Sequence, residues 1–162
     1  MRNLMLVLVA GLAASTAFAH NGLKVTSQQA VAVYAGTQGV MRYAGGGGPS
    51  NSAAWDRPVS HSVDDGDTVY LVARADEVAL RGILAEVQVS GEHVLSGDAR
   101  WEMVTVNSNR TVAGSSPDES TLFEWVNRAN DRQAWRFPDL SGVNKPSSPE
   151  FVDGIEGTAA RM

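Results

Sequence analysis

Histidine, tryptophan and clustered carboxylate are the side chains in this sequence with chemistry to offer. The histidines are His20, His61 and His93. His20 directly follows Ala17-Phe18-Ala19, a small-x-small step of the kind signal peptidase cuts. Cleavage after Ala19 gives His20 a free α-amine beside its imidazole. One further histidine, His61 or His93, would complete a nitrogen-rich set of the type Cu²⁺ favours. Against that reading, His61 alternates with Val59 and Val63 on an apolar face, and His93 sits just after a turn. Asp64-Asp65-Gly66-Asp67 offers carboxylates to a structural Ca²⁺. It lacks the spaced ligand series of a calcium loop, and an acidic turn is the simpler reading.

The aromatic stock points elsewhere. Sugars are recognised by stacking their C–H faces on aromatic rings, while carboxylates, amides and arginine take the hydroxyls. Trp55 stands beside Asp56 and Arg57, and Trp135 beside Arg136, so these five residues are the candidate ligand-binding set. Trp101 shares a strand face with Met103 and is expected in the core. Packing also competes for Trp55 and Trp135, because tryptophan is mostly buried wherever it occurs.

Catalysis needs an activated group, and none is legible. The chain has no G-x-S-x-G, no H-E-x-x-H and no cysteine, so the expectation is a protein that is not an enzyme. The lack of cysteine also excludes disulfides, thiolate metal sites and a cysteine-linked lipid anchor. Asn109-Arg110-Thr111 matches the glycosylation sequon, which as a bare tripeptide carries little weight.

The compartment follows from the start of the chain. Arg2 supplies a minimal positive segment, and Leu4–Leu12 is an apolar run of signal length, too short to span a bilayer as a helix. Residues 1–19 are therefore expected to be an export signal, and the protein periplasmic or extracellular. Processing leaves 143 of the 162 residues, enough for one domain with a real core. No later run reaches membrane-spanning length, so no insertion is expected after signal removal. The formal net charge is −5, with lysine only at positions 24 and 145 and arginines scattered singly. No basic stripe exists to neutralise a phosphate backbone, which argues against nucleic acid as a partner.

The elements that must position these residues are mostly strands. Gln28–Ala35 and Val40–Ala44 read as a hairpin around Gly36-Thr37-Gln38-Gly39. Gly45–Gly48 with Pro49-Ser50-Asn51-Ser52 reads as a flexible loop. Pro58–Val63 is a further strand, closed by the acidic turn. Thr68–Ala75 is apolar on both faces, which suits an inner strand covered on both sides. Gly82–Ser90 alternates, with Ile83, Ala85, Val87 and Val89 on one face, and Arg100–Val106 follows the turn Ser90-Gly91-Glu92. Short strands with glycine-bearing turns at this spacing argue for an all-β, antiparallel β-sandwich. Ser120–Arg128 reads as a short helix with Ser120 as N-cap and Leu122, Val126 and Ala129 near one face. From Phe137 onward the Pro-, Gly- and Ser-rich chain reads as an extended, loosely ordered tail. The expected organisation is signal 1–19, sandwich 20–137 and tail 138–162.

The order of features resembles the galactose-binding-like jelly-roll modules of secreted bacterial proteins. The matching pieces are Val31-Ala32-Val33-Tyr34, Trp55, Gly66-Asp67-Thr68-Val69 and Val72-Ala73. Gly82-Ile83-Leu84-Ala85-Glu86 and Trp101-Glu102-Met103 follow in the family's order. Trp125 and the Asn130–Trp135 segment are similar to a tryptophan-flanked acidic stretch that often comes next. The resemblance implies a sandwich of jelly-roll type and a non-catalytic binding role, with carbohydrate as the favoured ligand. The same sandwich also serves linking and structural roles. Two alternatives therefore stand beside it: a periplasmic copper-binding protein using His20, and a structural or assembly protein whose partner is another secreted protein. No resident cofactor is expected beyond the Ca²⁺ or Cu²⁺ weighed above.

Overall fold

A computed structural model describes residues 4–11, 21–27, 30–37, 39–47, 57–75, 82–89, 92–107, 116–140, 142–143 and 159–162. In chain order the elements are β1 (Leu4–Gly11), β2 (Gly22–Ser27), β3 (Val31–Thr37), β4 (Val40–Gly47), β5 (Val59–His61) and β6 (Thr68–Ala75). They continue as β7 (Ile83–Val89), β8 (Glu92–Leu95), β9 (Trp101–Asn107), α1 (Glu119–Asp131), β10 (Gly142–Val143) and β11 (Ala160–Arg161). One sheet has the order β4-β3-β6-β1-β9, a second β5-β2-β7-β8, and β10 pairs with β11 in a third of two strands; every pairing is antiparallel.

Period-two alternation explains the layering. Val31, Val33 and Ala35 of β3, Val69, Leu71 and Ala73 of β6, and Trp101 and Met103 of β9 face Leu23, Val25, Ile83, Ala85, Val87 and Val94 of the opposing sheet. These residues form one cluster, so the two sheets are packed face to face around a shared core. Each fully buried valine or leucine there contributes roughly 1.5–3 kcal/mol. The intervening residues of the five-stranded sheet, including Ala32, Tyr34, Tyr70, Val72 and Val104, point outward. They are covered by Leu122, Trp125, Val126 and Ala129 of α1. Thus β6 is apolar on both faces because it has an apolar layer on each side.

The sandwich expectation holds, and so does the core: Val69, Leu71, Ile83, Ala85, Val87, Val89 and Trp101 are all buried. Three local readings need correction. Gly45–Gly47 is not loop but the end of β4, paired with Val33, Ala32 and Val31 across a register shift at Val33/Tyr34. Glycine is tolerated there because β4 is an edge strand and because the bulge sets Gly45 at φ +137°. The helix is capped not by Ser120 but by Asp118, whose carboxylate accepts from the Thr121 N–H at 2.7 Å. Finally, β2 and β8 are strands that the periodicity does not announce, and His93, just after the turn, lies on β8.

Leu4–Gly11 and residues 159–162 both enter the fold. Leu4–Gly11, read above as the apolar part of an export signal, forms a strand between β6 and β9. At the other end Met162 exchanges both backbone hydrogen bonds with Ile83, at 2.8 and 3.1 Å, and Ala159 is buried against Leu84. Ala159 and Met162 therefore pack on the sandwich.

Candidate functional site

Of the residues expected to bind ligand, Trp55 and Asp56 lie outside the described residues. Arg57 is exposed just ahead of β5. Trp135 is half-buried, its indole N–H donating to Asn130 Oδ1 at 2.7 Å while its ring packs on the helix-side cluster. The chain reaches that position through the C-terminal cap of α1. Gln133 adopts φ +50°, its N–H donates to the Asn130 carbonyl, and the Ala134 N–H reaches back to Ala129. Arg136 then pairs its backbone with Met103 of β9 and leaves its side chain exposed.

The described residues of this set do not converge. β5 lies against β4, at one edge of the five-stranded sheet, whereas Arg136 adjoins β9 at the other. Four strand spacings separate those edges, about 19 Å. Arg57 and the Trp135–Arg136 pair therefore serve different surfaces.

The two described histidines diverge as well. His61 is on β5 and His93 on β8, the opposite edges of the four-stranded sheet. Three spacings, about 14 Å, lie between those strands. One ion cannot take a bond of roughly 2 Å from each. His20 lies outside the described residues. His61 is half-buried, with Nδ1 3.2 Å from the Ala44 carbonyl and Nε2 buried without a hydrogen-bond partner. Among the described residues no group of three metal-binding side chains occurs.

The acidic turn is committed to the fold. The Asp67 N–H donates to the Asp64 carbonyl at 3.1 Å with Gly66 at φ +80°, as a type II turn requires. The buried Asp67 carboxylate accepts from the Asp64 N–H at 2.9 Å and from Arg42 Nη1 at 2.8 Å. Arg42 Nη2 meets Asp64 at 2.9 Å, and Asn21 donates to Asp65 at 2.7 Å. These acids bracket β2, β4 and β6 together, and a guanidinium already supplies the charge a cation would bring.

One aromatic ring is left both held and open. Tyr43, on edge strand β4, is 51% exposed and sits edge-on to Tyr34 with ring centroids 5.3 Å apart. Its backbone N–H donates to Glu119 Oε1 at 2.8 Å, tying the strand to the first turn of α1. Tyr34 is in turn fixed by its hydroxyl, which donates to the Pro117 carbonyl. Phe123, 36% exposed, lies one helical turn beyond Glu119 on the same side of α1. Tyr43, Glu119 and Phe123 thus combine exposed aromatic surface with a carboxylate acceptor on rigid elements. No local pattern links this group, because Tyr43 lies 76 residues ahead of Glu119.

Comparison with protein-family models, curated proteins and solved structures returns no match to this chain. The fold and the surface stand on their own geometry.

Proposed function

We propose that the protein is an exported, non-catalytic binding module whose ligand class is carbohydrate, with Tyr43 as a stacking platform and Glu119 as a hydroxyl acceptor. The observation that carries this reading is the Tyr43 ring, half open to solvent and edge-on against Tyr34, on a strand whose backbone Glu119 ties to α1. A ring immobilised before binding loses little side-chain entropy when a sugar stacks on it. The carboxylate alongside can take hydrogen bonds from vicinal hydroxyls. The sequence supports the rest: a leader of export type, no catalytic motif, and the resemblance to galactose-binding-like modules of jelly-roll type. Trp55 with Asp56 remains a second platform of the same proposal. Trp135, whose N–H is already engaged and whose ring is half-covered, ranks behind both.

The test is a glycan array probed with wild type and with the Tyr43→Ala, Trp55→Ala and Trp135→Ala variants. Binding that is lost in Tyr43→Ala and retained in Trp135→Ala supports the assignment. Absence of binding to any glycan by wild type removes the carbohydrate class.

A further inference from the structure

The segment Leu4–Gly11 carries two roles that cannot coexist in one mature molecule. Read as part of an export leader, it would leave with residues 1–19. As β1 it fills an inner position of the five-stranded sheet. Its backbone runs antiparallel to β6 from Leu4↔Ala75 to Gly11↔Thr68, and antiparallel to β9 from Leu4↔Asn107 to Ala10↔Trp101. Without it, β6 and β9 stand two strand spacings apart, about 9.6 Å, and no direct ladder can form between them. The inner edges of both strands would then present unpaired N–H and C=O groups in the middle of a sheet.

We propose that in the processed protein the slot between β6 and β9 receives an uncharged apolar β-strand of about eight residues donated by a different polypeptide, by β-augmentation. The proposal goes beyond the carbohydrate reading and rests only on its export part. The chemistry of the occupant follows from the walls. At positions opposite Val69, Leu71, Ala73 and Met103 the strand faces the inter-sheet core. At positions opposite Tyr70, Val72 and Val104 it faces the layer under α1. Both faces of the donor must therefore be apolar, unlike a strand with one solvated face. The donor is a different chain because residues 20–162 hold no spare segment of this kind. Outside the described strands, Gly48–Asp56, Asp76–Arg81, Ser108–Ser115 and Asn144–Thr158 are charged, or interrupted by Pro, Gly or Ser. Every uncharged apolar run of sufficient length is already a paired strand.

The experiment uses exported protein, stripped of any bound chain by purification in denaturant and refolded with or without a synthetic peptide of residues 3–12 bearing two lysines at each end. A control peptide carries Leu8→Asp, the register position opposite Leu71 and Met103. N-terminal sequencing is expected to begin at His20. The peptide should bind one to one, protect the amides of β6 and β9 from exchange, and raise the melting temperature by about 8 °C at a hundredfold excess over its dissociation constant. The Leu8→Asp peptide should do none of these. A first residue of Met1 would overturn the proposal together with the export reading, because β1 would then stay in place. A chain that begins at His20 but shows β6 and β9 amides protected without peptide, with no peptide binding, would overturn the proposal alone. Failure to refold even with the apolar peptide also counts against it.

Discussion

The imidazole of His61 occupies the volume that a side chain at Gly45 would need. A Cβ built on Gly45 would lie 2.7 Å from His61 Cε1 and 2.9 Å from Nδ1, closer than real Cβ contacts come. The backbone there is also at φ +137°, which an L residue adopts only with strain. The glycine run of β4 therefore lets the edge of one sheet close over the edge of the other. Gly45→Ala should destabilise the protein by about 3 kcal/mol, measured by denaturant unfolding. In a His61→Ala background the same substitution should cost clearly less, roughly 1 kcal/mol, because only the backbone strain remains. Equal costs in both backgrounds would mean that the ring does not fill that space.

Gln133 carries a left-handed conformation at the C-terminal cap of α1, a position glycine usually holds. Gln133→Gly should stabilise the protein by about 1 kcal/mol, seen as a melting temperature higher by a few degrees. The side chain is exposed, so no packing is lost in the exchange. A lower melting temperature would show that the cap relies on the glutamine side chain.

Stability should fall at both ends of the pH scale for identifiable reasons. Burial pushes the Tyr34 hydroxyl up to about 12, from an ordinary value near 10. The unfolded chain releases that proton first, so its contribution is intact below pH 10 and is lost as pH rises toward about 12. Burial raises Tyr70 in the same direction. Tyr34→Phe should flatten the alkaline limb, while costing about 1 kcal/mol at neutral pH through the lost bond to Pro117. On the acid side, hydrogen bonding from Arg100 holds the Asp98 carboxyl below the usual carboxylate range. That contribution is present above about pH 4 and disappears as pH falls through the depressed value. Asp98→Asn should remove it, a change of about 1 kcal/mol at most for so open a pair. Unfolding curves across pH that are unchanged by both substitutions would contradict these assignments.

What was legible in the sequence was periodicity. The alternation of Ile83, Ala85, Val87 and Val89 fixes both the strand and its buried face, and the doubly apolar Thr68–Ala75 announces a layer on either side. The helix face of Leu122, Val126 and Ala129 is equally local. What escaped reading depends on partners distant in sequence. Gly45–Gly47 has no strand propensity of its own and is made strand by β3 alongside it and by the ring of His61 above it. β8 is only four residues long, with Glu92 and His93 exposed, too short for alternation to register. The site was the least legible part. Trp135 looked open because a charged residue follows it, but its N–H is satisfied by Asn130 within the helix cap. Tyr43 looked ordinary because Glu119, which takes its backbone N–H, approaches only in the fold.

Isothermal titration of the best array glycan against wild type, Tyr43→Phe and Tyr43→Ala tests the central claim most directly. A stacking platform needs the ring and not the hydroxyl. Tyr43→Phe should therefore bind within about twofold of wild type, and Tyr43→Ala should lose about tenfold or more in affinity. The melting temperatures should stay within a few degrees of wild type, since half of the ring is exposed. Equal affinity for wild type and Tyr43→Ala, with both proteins folded, would contradict the account and move the binding surface away from β4.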